Sequence, residues 1–240
     1  MSRFNFVMKV YIHEFLESIH HLKGSLVIID VFRAFSTSAW LLANGAEKIL
    51  SVSQLEHAYL LHEKNPETLL MGERDGFIQP GFHYGNSPES IRDKDFTGKT
   101  IIHTSSSGTQ GLVLASKYAD EVLPGNLLNA RAICQYLKQA GRKEIHLIAM
   151  GFPEPSRGEE DYWCAQYMYD LLTKDNVCYK PFEMKIRYAY RDREKDFVQS
   201  GRWNPGDMDL CLQADRFNFV IKAEIHDEHC VEIRKIKEGL

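Results

Sequence analysis

The chain lacks any CxxC pair, any surplus of positive charge and any long apolar run, and each absence removes a class of protein. Five cysteines (Cys134, Cys164, Cys178, Cys211 and Cys230) are spread through 240 residues. Their odd number and wide spacing offer neither a zinc framework nor a need for disulfides, and point to a reducing cytoplasm. Lysine and arginine total 29 against 33 aspartates and glutamates, a formal net charge of −4. Sequence-independent phosphate binding needs a basic excess, so no nucleic-acid partner is expected. The longest stretch free of Asp, Glu, Lys and Arg runs from Thr100 to Ser116 and holds His103, four serines and two glycines. It is too polar to span a bilayer, so no membrane partner is expected either. Met1 to His20 carries Arg3, Lys9, Glu14 and Glu17 without an apolar run of seven, and no signal peptide is read there. Repeats, low-complexity tracts and Gly/Ser linkers are missing too. What is left is a mildly acidic globular chain, 44% hydrophobic and long enough to bury a sizeable core.

Short β-branched runs alternate with helical patterns through most of it. Leu26–Ile29, Lys48–Val52, Leu69–Met71, Thr100–His103, Val122–Leu123 and Ile145–Met150 read as strands. Between them Ser36–Ala46, Ser53–His62 (capped by Ser53), Gln110–Lys117, Asn129–Gln139 and Asp161–Thr173 read as helices. Strands separated by helices imply βαβ units, so the fold class is α/β: alternating strands and helices around a largely parallel sheet. From about Lys180 the rhythm changes. We expect an α/β core over 1–180 and a small C-terminal extension over 181–240 that packs on or caps it. In that extension Phe217–Lys222 and Val231–Ile236 look like two edge strands, and its aromatic residues (Tyr188, Tyr190, Trp203, Phe217, Phe219) offer a surface for homo-oligomers.

Ligands of parallel α/β sheets bind beyond the carboxyl ends of the strands, and the segments found there are polar and small. Asp30-Val31-Phe32-Arg33 leads to Ser36 and Thr37, either an anion or metal-phosphate site or an ordinary helix start with serine and threonine caps. Gly72-Glu73-Arg74 opens a loop of about two dozen residues through Asn86 and Ser87, long enough to be functional or disordered; Glu73-Arg74 is otherwise a poor adjacent ion pair. Thr104-Ser105-Ser106-Ser107-Gly108-Thr109 makes an anion-cradling nest or a turn with no ligand. It is no Walker loop, because Gly98-Lys99-Thr100 precedes its strand instead of following it. The segment from Gly151 to Asp161 ends in Glu159-Glu160-Asp161, which either complement the helix dipole or face the cleft as Mg²⁺ ligands. Other chemistry fares worse. No GxSxG elbow exists, and Phe32 stands where a phosphoaspartyl phosphatase places its second acid. Cys164 sits on an apolar helix face without a base, and His226-x-x-His229 lacks a third ligand.

In this order the segments resemble the 2-phosphosulfolactate phosphatase (ComB-like) family. The likeness rests on Asp30-Val31-x-Arg33-Ala34-x-Ser36-Thr37, Ala43-Asn44-Gly45-Ala46, Gly72-Glu73-Arg74-x-Gly76 and Gly81-Phe82-x-x-Gly85-Asn86-Ser87-Pro88. Thr104–Thr109, Asn129-Ala130 and Glu160-Asp161-x-x-Cys164-Ala165 complete it, over about Leu26 to Leu172. The chain departs from the family's usual residues at Ser107 (Asn), His83 (Asp) and Gly158-Glu159 (Ser-Leu), positions that bear on the substrate more than on the fold. The resemblance implies a Mg²⁺-dependent phosphoric monoester hydrolase, a phosphatase taking (2R)-2-phospho-3-sulfolactate to sulfolactate and phosphate. We expect Asp30, Glu73 and Asp161 (or Glu160) to hold the metal and its waters, and Asp30, Arg33, Glu73, Arg74 and Asp161 to be the catalytic residues. Arg33 and Arg74 would hold the phosphoryl oxygens. Ser36, Thr37, Asn86, Ser87, Thr104, Ser105, Ser106, Ser107, Gly108, Thr109 and Asn129 would bind the rest of the anion. A binding protein for a phosphorylated or sulfonated acid, or a phosphatase for another phosphorylated hydroxy acid, stand as competing readings.

Overall fold

The computed structural model describes residues 8–151 and 158–236. Nine strands form one sheet: β1 (Lys9–Glu14), β2 (Ser25–Ile29), β3 (Lys48–Val52), β4 (Leu69–Gly72), β5 (Thr100–Thr104), β6 (Glu121–Gly125), β7 (Glu144–Ala149), β8 (Ile221–Asp227) and β9 (Cys230–Lys235). The helices are α1 (Ala34–Ala43), α2 (Leu55–Lys64), α3 (Pro88–Ile91), α4 (Gly108–Ala115), α5 (Ala130–Gln139), α6 (Glu159–Thr173), α7 (Lys180–Tyr190), α8 (Arg193–Gln199) and α9 (Asp207–Cys211). None of them is long and apolar enough to cross a membrane. The α/β class is thus as expected, with helices between the strands of a mostly parallel sheet.

The sheet order is β1-β7-β2-β6-β8-β9-β3-β5-β4. Its two halves, β1-β7-β2-β6 and β3-β5-β4, are parallel within themselves. They are joined through the β8–β9 hairpin by antiparallel pairings. The two tail strands expected at an edge therefore lie in the middle of the sheet. Their charged alternation is the reason for the mismatch: Ile221, Ala223, Val231 and Ile233 enter the main core while the opposite side carries charge. Antiparallel strands tolerate one wet face, and Glu232 answers Lys48 across the sheet at 2.9 Å. Two further local expectations change. β1 is an additional strand along β7, and Ser53 donates to His229 O at 3.3 Å while Gln54 stands at the N-cap of α2.

β2 explains why the site forms where it does. All five residues are buried, with Leu26 and Ile28 packing toward α1 and α4 and Val27 and Ile29 toward α5 and α6. A strand covered on both faces reads as an unbroken apolar run and ends only where polar groups can be satisfied. The three antiparallel pairings reverse direction between the halves. The carboxyl ends of β2, β4 and β5 nevertheless meet, joined by hydrogen bonds from Gly108 to Asp30 and from Ser106 to Glu73.

Candidate active site

Asp30 ends β2 and meets two helix starts at once. Its Oδ1 accepts from Ala34 N of α1 (2.9 Å) and its Oδ2 from Gly108 N of α4 (3.1 Å). Only glycine fits at position 108, because a Cβ there would lie 2.5 Å from Asp30 Oδ2. Glu73 follows β4 after Gly72, whose φ of +134° and whose approach to Thr104 O admit no side chain. Glu73 Oε1 accepts from Ser106 N (2.7 Å), and Oε2 accepts from Gly76 N (2.7 Å) and Ser106 Oγ (2.9 Å). The carboxylate thereby shapes the hydroxyl-rich loop between β5 and α4. Glu160, in the first turn of α6, accepts from the Tyr190 hydroxyl. Asp161 beside it accepts from Val31 N (2.7 Å) and Gly151 N (2.9 Å), stitching the loops after β2 and β7 together.

A cavity of about 400 Å³ opens over these groups, within the range of small-molecule sites. Asp30, Glu73, Glu160, Asn86, Ser106, Ser107 and Arg33 line it. So do Phe32, Tyr190, Phe197, Arg202 and Trp203. The structure thus brings together seven of the residues expected from sequence and holds the others elsewhere. Arg74 turns away from the cavity: it donates to Thr104 Oγ1 (2.8 Å) and the carbonyls of Glu73 and Ser53. Ser36 Oγ donates to Val31 O, Thr104 Oγ1 to Val52 O, and Ser105 and Thr109 bond to one another. Thr37 is fully buried. Asn129 donates to Phe219 O. None of these groups lines the cavity. Ser87 caps α3 and donates to Asp207 Oδ1 (2.6 Å). Gly108 contributes its N–H to Asp30, and Asp161 lies beneath the cavity.

Arg33 lines the cavity, and each terminal nitrogen already donates one hydrogen bond within the protein. Nη1 donates to Asp207 Oδ2 (2.6 Å) and Nη2 to Arg202 O (2.7 Å). Asp207 also accepts from Ser87 Oγ, Glu89 N and Asn204 N, with no exposure at all. It straps the turn after α8 onto the loop before α3. Of the family departures, Ser107 faces the cavity, whereas His83 does not: its Nδ1 accepts from Leu70 N (3.0 Å). Residues 152–157 of the loop between β7 and α6 lie outside the described residues.

Crowded, buried carboxylates dominate the electrostatics. Burial pushes Asp30 up to about 6, and the neighbouring Glu73 adds to it against the pull of the Ala34 and Gly108 N–H groups. Burial, with Asp30 and Glu159 nearby, pushes Glu160 up to about 7. Asp161 is raised well above the usual range by burial and then by Glu160 and Asp30. His103, buried beneath Asn86, is held down at about 4 by burial and Arg74. Among the described residues no three of His, Cys, Asp and Glu form a metal cage. Magnesium does not require one, since it keeps several waters and takes one or two carboxylates plus substrate phosphate. Asp30 and Glu160 fit that demand, because they line one cavity and repel each other there.

A pH test follows with a definite sign. A carboxyl whose folded pKa is raised destabilises the fold as pH climbs from its unfolded to its folded value. For Glu160, from 4.5 to about 7, that amounts to about 3 kcal/mol. His103 acts in the opposite sense, but only below about pH 6.5, where the unfolded histidine takes its proton. In EDTA at pH 8, Glu160→Gln should therefore melt several degrees above wild type, and the gap should close by about pH 4.5. Thermal unfolding of both proteins across that range is the check; a variant less stable at pH 8 would contradict the assignment.

Comparison with known proteins converges on one family. The sequence profile described as 2-phosphosulpholactate phosphatase matches residues 12–225. A probable 2-phosphosulfolactate phosphatase of Caldicellulosiruptor saccharolyticus is 31% identical over 79% of this chain and 84% of its own length. Proteins of the same name from Clostridium perfringens (33% identity, 75% of each chain) and Caldanaerobacter subterraneus (30%, over 83% of this chain and 88% of its own) are similar as well.

Proposed function

From the chain's place in the 2-phosphosulpholactate phosphatase family, to which it belongs, and from the cavity, we propose that it is a phosphoric monoester hydrolase releasing phosphate from 2-phospho-3-sulfolactate. The observation that carries this reading is the convergence of Asp30, Glu73 and Glu160, each buried, on one cavity at the carboxyl ends of the strands. Buried charges of one sign that crowd together destabilise a fold unless they are matched or used. Asp30 and Glu160, with Glu73 beside them, would hold a cation, for which we propose Mg²⁺. A cation held there would supply charge neutralisation at the transferring phosphoryl oxygens.

The chain's own groups do the remainder. Uncatalysed phosphate-monoester hydrolysis is among the slowest known reactions, so preorganised electrostatics must carry most of the acceleration. The Ala34 and Gly108 N–H groups fix both oxygens of Asp30, so the carboxylate needs no reorganisation when substrate arrives. The Asn86 amide and the Ser107 hydroxyl face the cavity and orient the ester. Phe32, Tyr190 and Trp203 pack edge-on and stacked at centroid distances of 4.9–5.8 Å. This aromatic wall excludes water and strengthens every charge interaction inside.

Phosphate release from 2-phosphosulfolactate, compared with phospholactate, phosphoglycerates and an aryl phosphate, tests the proposal in Mg²⁺ and in EDTA. Turnover selective for phosphosulfolactate and abolished by EDTA is expected. Full turnover in EDTA would remove the ion, and selectivity for another ester would replace the substrate.

A further inference from the structure

We infer that Arg202 binds the acidic group of the substrate that is not transferred, an assignment that rests on the phosphatase reading above. The floor of the cavity is acid: Asp30, Glu73 and Glu160 are each at most 7% exposed. The transferring phosphoryl group, with the cation it requires, belongs there. Arg202 lines the same cavity, against Gly76 and near the exposed Asp75. It is exposed, and its guanidinium carbon lies 5.4 Å from the centroid of the Phe77 ring, itself 44% exposed. Two cations line the cavity among the described residues, and they are in different states. Arg33 is buried and paired with Asp207. Arg202 lies within ion-pair distance of no carboxylate among the described residues, and it is left with its fork of donors free.

The surroundings place that fork. The Arg202 carbonyl accepts from Arg33 Nη2 (2.7 Å), and its N–H donates to Phe197 O (3.0 Å). Its stem crosses Gly76, where a Cβ would come within 3.0 Å of Arg202 Cγ. The buried Arg33–Asp207 pair thus serves as the mount for Arg202, in the turn between α8 and α9. A planar guanidinium resting on an aromatic face presents paired N–H groups to a carboxylate or sulfonate. The substrate class is therefore a phosphomonoester with a second acid group a few bonds from the phosphate, held phosphate-down. Such an ester brings at least two negative centres to an acidic cavity, and 2-phospho-3-sulfolactate brings three, of which Arg202 answers one of the two that are not transferred.

Steady-state kinetics of Arg202→Gln and Arg202→Lys on three esters test this: 2-phosphosulfolactate, 2-phospholactate (carboxylate but no sulfonate) and isopropyl phosphate (neither). A charged hydrogen bond of about 1.5–3 kcal/mol predicts a rise in KM of roughly 10–100-fold for Arg202→Gln on esters bearing the group it binds. The penalty on isopropyl phosphate should be absent, and lysine should recover part of the loss. A loss confined to the sulfonated ester identifies the sulfonate, and a loss on both acids identifies the carboxylate. An equal penalty on all three esters, or none on any, would overturn the assignment. Calorimetric binding of sulfolactate to wild type and Arg202→Gln separates this from the phosphatase reading. Binding weakened at least roughly tenfold supports Arg202 even without turnover, and equal binding overturns it.

Discussion

Asp30→Asn should lower kcat by roughly 10³-fold or more while the protein stays folded. Removing one preorganised electrostatic contact typically costs roughly 10²–10³ in rate, and Asp30 stands to lose more, since it is proposed both to hold the cation and to face the phosphoryl group. The fold should survive because the substituted amide keeps one oxygen for Ala34 N. Its NH₂ group would meet the Gly108 N–H as donor to donor, at a cost of about 1–3 kcal/mol. Relief from burying a charge works in the opposite direction, because Asp30 is already pushed up to about 6. Phosphate release and far-ultraviolet circular dichroism together decide the matter. A folded variant retaining more than about a tenth of the wild-type kcat would remove Asp30 from the chemistry.

The second large effect falls on a residue with no contact to the reacting atoms. Asp207→Ala should destabilise the protein by about 3–5 kcal/mol, because it strands the buried Arg33 guanidinium without a counter-charge. The Ser87 hydroxyl and the N–H groups of Glu89 and Asn204 lose their acceptor in the same step. Activity should fall with stability, since Arg202 and Trp203 are held by the same strap. The double variant Arg33→Met/Asp207→Leu sharpens the test. Replacing a buried ion pair by apolar residues removes the stranded charge, so the melting temperature should recover in part, held short of wild type by the Ser87, Glu89 and Asn204 donors that still lack an acceptor, while turnover does not recover. Melting curves and kcat for the three proteins are the measurements. A single variant as stable as wild type would show that the pair holds nothing together.

The βαβ rhythm was legible in the sequence because parallel strands buried on both faces, such as β2 and β7, appear as unbroken apolar runs. Asp30 and Glu73 were legible because they directly follow β2 and β4, and Glu160 because it opens the helix α6 after β7. What escaped reading shares one cause, which is partnership across great distance in the chain. Arg33 lines the cavity as expected, but its pairing with Asp207, 174 residues later, could not be read from spacing. Tyr190, Arg202 and Trp203 belong to a segment whose pattern is merely polar and aromatic, yet they close the cavity. The hydroxyl-rich loop is only half a ligand site. Ser106 and Ser107 face the cavity while Ser105 and Thr109 bond to each other, and no spacing rule tells the two pairs apart.

The hairpin at the centre of the sheet sets an order of events during synthesis. β1–β7 leave the ribosome before residues 221–235 exist, so the two parallel halves must wait with β6 and β3 unpaired on their facing borders. Open strand borders are templates for association with other chains, and contacts this remote in sequence form slowly. The last strands made are the ones that close the seam. A nascent or truncated chain stopped short of Ile221 would present two half-sheets and no joint, exposed to aggregation until its closing hairpin arrives.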